Sequence, residues 1–220
     1  ARPIGAPLSD YHALVSDAFL PASAALELAG LSAYRFSGLV DPFGSFNAYI
    51  AGRQDAFVIS LESDSAAYLE ALRAHSAKRF KNYRRLHHKI EREIGPITVA
   101  APDRDAAALE QLVDWKRNQL QRTGLHDFLA PSWTQQLLRN LFRLQQGAFQ
   151  GLMIGIRVDG RLIAGHFGVR LGEHYHPWIA STDPEMAAWS PGQLFLIHAI
   201  GTMSNLGLRT YDLGPGHAHY

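Results

Sequence analysis

Residues 152–181 read LMIGIRVDGRLIAGHFGVRLGEHYHPWIAS, and this stretch decides the fold. Leu152, Ile154, Ile156 and Val158 alternate with other residues, the period of a strand with one face in a core. Asp159-Gly160 follows, a dipeptide that tolerates the two positive-φ positions of a type I′ turn. The chain therefore doubles back over Arg161–Leu171. Gly172-Glu173 supplies another turn, and His174–Ser181 reads as a third strand. An antiparallel meander of three strands is predicted.

Downstream, Ser190 is placed to cap a helix, with Pro191 at its first position and Gln193 completing a capping box. Leu194, Ile197, Ile200 and Met203 share one face of it, Gly207 ends it, and Leu208–Leu213 is a last strand. Upstream, Ser132 with Gln135 reads as a capping box opening a helix that stops at Gly147. Asp105–Arg122 is a helix on Leu109, Leu112, Val113 and Leu120, and Ile97–Ala100 is a short strand. Ser65–Ile94 reads as one long helix with Leu69, Leu72, Ser76, Phe80, Tyr83, Leu86, Ile90 and Ile94 on one face, stopped by Gly95-Pro96. The first 60 residues suggest helices at Asp10–Phe19 and Leu26–Gly30. They also suggest strands at Tyr34–Leu39 and Ala56–Leu61, parted by the turn sequence Asp41-Pro42-Phe43-Gly44. The fold class expected is α/β of the α+β kind, a mixed but mostly antiparallel sheet flanked by helices.

Composition bounds the function. With 47% apolar and 19% charged residues, 220 residues can bury a proper core. A net charge of +1 weighs against a nucleic-acid partner. The charge is nonetheless uneven: eight Lys/Arg and one acid lie between Arg73 and Arg92. Cysteine is absent, which removes disulfides, thiol chemistry and Cys-ligated zinc. Neither a signal peptide nor an apolar run of about 20 residues is visible, so a cytoplasmic location without a membrane span is expected. The sequence starts Ala1-Arg2-Pro3 and stops at Tyr220, and is read as an internal piece of a longer protein.

The strand–turn–helix at Ser190–Leu194 is where chemistry is expected. Backbone N–H groups at a helix start face outward at the positive end of its dipole, and Gly192 has no side chain to block a pyrophosphate. An ordinary well-capped helix is the other reading. Asp212, at the end of the last strand, is either a general base or the cap of the Gly214-Pro215-Gly216 turn. Of eleven histidines, His174 and His176 share a strand face, His217 and His219 are similarly spaced, and His166 lies on the neighbouring strand. Nothing else in the sequence asks for a metal, so none is expected. His176 or His166 is expected instead to line an acceptor cleft as proton acceptor. On the basic helix, Lys78, Lys81, Arg84 and Arg85 are either a solvated face or contacts to an anionic acceptor. Tyr175 and Trp178 are either core or a platform for a sugar.

The order of these pieces resembles the GNAT superfamily, and more closely the CelD-like acetyltransferases of cellulose and other exopolysaccharide synthesis. The residues carrying the likeness are GAPLSDY at 5–11, SAKRFKNYRR at 76–85, VDG at 158–160 with Ile163-Ala164, Asp183, SPG at 190–192, and YDLGPG at 211–216 up to Tyr220. The family pattern places a lysine after that final tyrosine, where this sequence stops. The resemblance implies acetyl-CoA as co-substrate, held by Trp178, Ala180, Ser190, Pro191, Gly192, Gln193 and Leu194. It implies a small-molecule or glycan-precursor acceptor met by Lys81, Arg85 and Tyr220, with Asp212, His176 and His166 as the catalytic candidates. It further implies two GNAT-like halves, an incomplete one over residues 1–98 and an acyl-CoA-binding one over 99–220. Fem-type aminoacyl transferases share that architecture, so aminoacyl transfer from tRNA to a cell-wall precursor is one alternative. A scaffold that kept the fold without the chemistry is another.

Overall fold

A computed structural model describes residues 8–216. The elements run β1 (His12–Ala13), α1 (Ala22–Leu28), β2 (Leu39–Val40), β3 (Ala56–Ser60), α2 (Ser65–His75), α3 (Ala77–Glu93), β4 (Ile97–Ala100), α4 (Ala106–Arg122) and α5 (Ser132–Arg143). They continue with β5 (Phe149–Val158), β6 (Arg161–Leu171), β7 (His174–Thr182), α6 (Pro191–Thr202) and β8 (Thr210–Pro215). Two compact units emerge. One gathers residues up to Phe57 with those from Gly214 onward, and the other is Val58–Leu213.

In the smaller unit β1 and β2 pair in parallel at His12–Leu39 and Ala13–Val40. The helix expected at Asp10–Phe19 does not form. Burial there alternates rather than cycling every three or four residues, and the His12 N–H is spent on the Gly38 carbonyl at 3.0 Å. Only Leu39–Val40 of the strand region expected around Tyr34–Leu39 is extended in a ladder.

The larger unit is built on a six-stranded sheet in the order β3-β8-β7-β6-β5-β4. The meander is antiparallel throughout, and Asp159 (φ 50°) and Gly160 (φ 76°) make the expected type I′ connection. Alternation divides the sheet into two faces. Leu152, Ile154, Ile156 and Val158 of β5 pack with Leu86 and Ile90 of α3 and with Phe195 and Ile200 of α6. On the other face Phe167 meets Phe142 of α5, and Gly165 lies against Leu112 of α4. Two helical layers thus bury both sides of a mostly antiparallel sheet, the architecture that a GNAT fold requires.

The long helix expected over Ser65–Ile94 is two helices, broken at Ser76, whose φ of −129° and ψ of 49° are not helical. Hydrogen bonding continues on either side, from Ser76 N–H to Leu72 and from Phe80 N–H to Ser76. The two halves meet the α6 region separately: α2 through Ser65 with Ser204 just past the end of α6, and α3 through Asn82 with Gln193. The expected capping box at Ser132 is also absent. Pro131 occupies the cap position, and Gln135 donates to the carbonyls of Leu129 and Ala130 instead. That helix closes at Leu144, before Gly147.

The feature that positions the site is an irregularity. Phe167 pairs with Ile179 and Gly168 with Pro177, so Trp178 is an extra residue without a partner in register. A side chain on Gly168 would sit 2.1 Å from the His176 carbonyl oxygen and 2.5 Å from Pro177 Cα. Gly168→Ala must therefore push β7 away, and should cost roughly 1–3 kcal/mol of stability. Urea denaturation should show a lower midpoint with an unchanged slope. An unchanged midpoint would mean that the close approach carries no weight.

Candidate active site

Just ahead of the bulge β7 leaves its other neighbour. It pairs with β8 in parallel only at His174–Thr210 and Tyr175–Tyr211, and then the two strands part. Pro177, which has no N–H to donate, falls just past the last of these pairs. His176 and Asp212 stand at the fork. The His176 Nδ1 donates to the Asp212 carbonyl oxygen at 3.2 Å and lies 3.7 Å from the Asp212 carboxylate. A carbonyl can only accept, so the proton sits on Nδ1 and the lone pair of the neutral ring is on Nε2.

His166 is not part of this pair. It is opposite Ala180 in register, while His176 is opposite Val169, and the odd-numbered spacing turns the two rings to different faces. His166 stacks on Phe195 of α6 with ring centroids 4.2 Å apart, and its Nδ1 is 2.8 Å from the Tyr211 hydroxyl. Burial, and then the charge of Lys116, push its pKa down to about 3. It is a neutral ring at any ordinary pH. Tyr211 and Tyr175 are fully buried and pack edge to face at 4.8 Å. Burial raises the pKa of both phenols well above the usual tyrosine value. Tyr175 is thus core, its hydroxyl bonded to the Leu152 carbonyl at 3.1 Å.

The loop into α6 departs from the sequence expectation in one informative way. Ser190 adopts a left-handed conformation (φ 51°, ψ 53°) and its side chain makes no capping bond. The expected capping box with Gln193 is missing because that geometry aims the hydroxyl elsewhere, and the Gln193 side chain accepts from Asn82 of α3 at 3.3 Å. A non-glycine residue held there stores about 1–3 kcal/mol of strain. Pro191 is buried at the first helical position, Gly192 and Gln193 are exposed, and the Leu194 side chain is in the core. Gln193 N–H donates to Ser190 at 3.1 Å, so the first turn is partly tightened. A side chain on Gly192 would lie 3.3 Å from the Thr182 methyl, which sets the end of β7 beside this turn. Trp178 is half-buried and Ala180 exposed, both on the part of β7 that β8 has left.

The basic helix lies against this loop. Arg85 donates to Asn82 at 3.0 Å, and Asn82 in turn reaches Gln193. Lys89 donates to the Ala188 carbonyl at 3.2 Å and sits 5.4 Å above the Trp189 ring, whose N–H bonds Glu93 at 2.9 Å. Lys81 and Arg85 are exposed on the same helix. Asp183 is buried, accepts from Glu185 N–H at 2.9 Å and from Arg161 at 2.8 Å, and so organises the 3-10 turn Pro184–Trp189 ahead of α6. Tyr220, His217 and His219 lie outside the described residues. Sequence reading missed the bulge at Trp178, although a proline inside a strand was its signal. It also did not anticipate the contacts of Asn82 with Gln193, Lys89 with Ala188 and Trp189 with Glu93. No helix among the described residues is long and apolar enough to cross a membrane.

The chain is similar in structure to the C-terminal domain (DUF2156) of a putative lysylphosphatidylglycerol synthetase from Agrobacterium fabrum, with 13% identity and a TM-score of 0.50. The likeness covers 88% of this chain and 56% of that one, so the chain spans little more than half of its neighbour, and at this identity it concerns the fold alone. No curated protein matches the sequence. The model of the acetyltransferase (GNAT) domain matches residues 77–220, which include α3, the meander, the fork and the loop into α6. The chain therefore belongs to the acetyltransferase (GNAT) domain family.

Proposed function

We propose that this chain moves an acyl group, acetyl in the first instance, from coenzyme A to an amine or hydroxyl of a polysaccharide precursor or sugar. The observation that carries the reading is the fork between β7 and β8, with His176 and Asp212 at its apex. A thioester laid in the fork would lie against β7 beside the extra residue Trp178, where backbone N–H groups would polarise its carbonyl. The acceptor needs to lose a proton as it attacks, and the His176 Nε2 lone pair is the group to take it. The nearby Asp212 carboxylate favours the imidazolium that results, while the Asp212 carbonyl holds the tautomer. His166, kept neutral and bonded to Tyr211, orients rather than accepts. The pyrophosphate would meet the start of α6 at Gly192, where no side chain caps the helix. Lys81 and Arg85 of α3 would supply positive charge beside it, to the cofactor or to an anionic acceptor.

A second reading, aminoacyl transfer of the Fem type, is favoured by the likeness to a domain of a putative lysylphosphatidylglycerol synthetase. Calorimetry comparing acetyl-CoA, CoA and aminoacyl-tRNA separates the two: binding of acetyl-CoA supports the first, binding of aminoacyl-tRNA alone replaces it.

Three outcomes are expected. Gly192→Val, which crowds both the loop and Thr182, should weaken acetyl-CoA binding at least about tenfold, or roughly 1.4 kcal/mol. Unchanged affinity in the folded variant would take this turn out of the site. His176→Gln should lower kcat by about 10²–10⁴ with acetyl-CoA affinity near normal. Asp212→Asn keeps the backbone carbonyl that fixes the tautomer and should lose less than His176→Gln. The reverse ranking would make Asp212 the base. The third outcome concerns pH. His166 in the unfolded chain protonates near about 6.5, but in the fold only near about 3. Its contribution to stability is therefore complete above about pH 6.5 and is lost toward pH 3, by up to about 1.4 kcal/mol per unit. Urea midpoints of His166→Gln should fall less steeply than wild type between about pH 6.5 and 4.5, and equal slopes would contradict the assignment.

A further inference from the structure

The outer surface of α3 carries a cluster that acyl transfer does not use. His87, His88 and Glu91 converge there, with one ligand atom from each lying within 4.8 Å of the others. The His87 Nδ1 is 3.2 Å and the His88 Nδ1 3.3 Å from the same Glu91 oxygen. Four-coordinate zinc binds imidazole nitrogen and carboxylate oxygen at about 2.0–2.2 Å, so donor atoms around it sit about 3.3–3.5 Å apart. The two histidine–carboxylate separations already match that edge within a few tenths of an ångström.

We propose that His87, His88 and Glu91 form a site for a divalent transition metal of the zinc class. The donor set of two imidazoles and one carboxylate suits that class and not calcium or magnesium, which take oxygen ligands. Each ligand stands on one turn of α3, so the backbone holds the spacing before any ion arrives. The fourth position falls to water. An ion there fixes the second half of α3 where the helix lies along α6. That half carries Lys89, which reaches Ala188 just ahead of α6. The histidines weighed in the sequence for a cleft metal, His166, His174 and His176, take no part in it.

The test uses the whole chain prepared without an affinity tag and stripped with a chelator, titrated with zinc sulfate by calorimetry. About one equivalent should bind with a Kd of roughly 10 μM or tighter. His87→Ala and Glu91→Gln should each weaken binding at least about tenfold, while His174→Ala leaves it unchanged. Cobalt(II) added to the stripped protein should give the intense visible bands of a four-coordinate ion, and Glu91→Gln should abolish them. All of these side chains are partly exposed, and circular dichroism checks that each variant is folded. Absence of binding at about 100 μM zinc, or binding that survives both α3 substitutions, overturns the proposal. Loss on His174→Ala instead would place the ion at the fork and overturn it equally.

Discussion

The molecule depends on one close approach: the backbone of β7 crosses Gly168 so tightly that no side chain fits between them. That contact is what allows Trp178 to be inserted as an extra residue and β7 to turn out of register. A regular β7 would continue beside β8 as a seamless sheet, with every N–H consumed by its neighbour. Instead the pairing ends after Tyr175 and Tyr211, whose rings lock edge to face at the last closed point. The opening is therefore a fixed feature of the core. Two buried tyrosines below it and a proline above it leave the strands no other register.

Burial assigns opposite roles to two histidines that look alike in sequence. His166 lies under Phe195 against a hydrophobic layer, and an imidazolium there would lose its hydration without an acid to compensate. His176 lies at the fork with a carboxylate 3.7 Å away. The same imidazole is held neutral by burial in one place and sits beside a carboxylate in the other. The bulge separates them: in a regular β7 His176 and Ala180, the partner of His166, would share a face, and the extra residue Trp178 turns His176 to the other.

The sheet was legible because its signal is local. Alternating apolar residues in β5 and the Asp159-Gly160 turn need no tertiary context, and the strands and turn appear where they are read. The long helix was only half legible, since the spacing of its one face runs unbroken through Ser76 and carries no mark of the break. The capping signal at Ser190 misled for a related reason. Serine, proline and glutamine have the right spacing, but the preceding 3-10 turn delivers Ser190 in a left-handed conformation. Asp183, Glu185 and Arg161 hold that turn in place from the other end, and the meander and the loop meet only in three dimensions. His176 and Asp212 were each legible as polar residues at strand ends. Their pairing was not, since it depends on which residues the parallel register of β7 and β8 brings side by side.

The missing cap at Ser190 then has a physical consequence. A helix start closed by its own serine would have its positive end satisfied before any ligand came near. Here the hydroxyl makes no such bond, proline supplies no N–H, and Gln193 turns its side chain outward to Asn82. The dipole end is left to whatever anion arrives, and α3 adds positive charge on the exposed side. Strain at Ser190 is the cost of keeping the turn in this state, and it is sustained because Pro191 and Leu194 are buried on either side of the exposed Gly192 and Gln193.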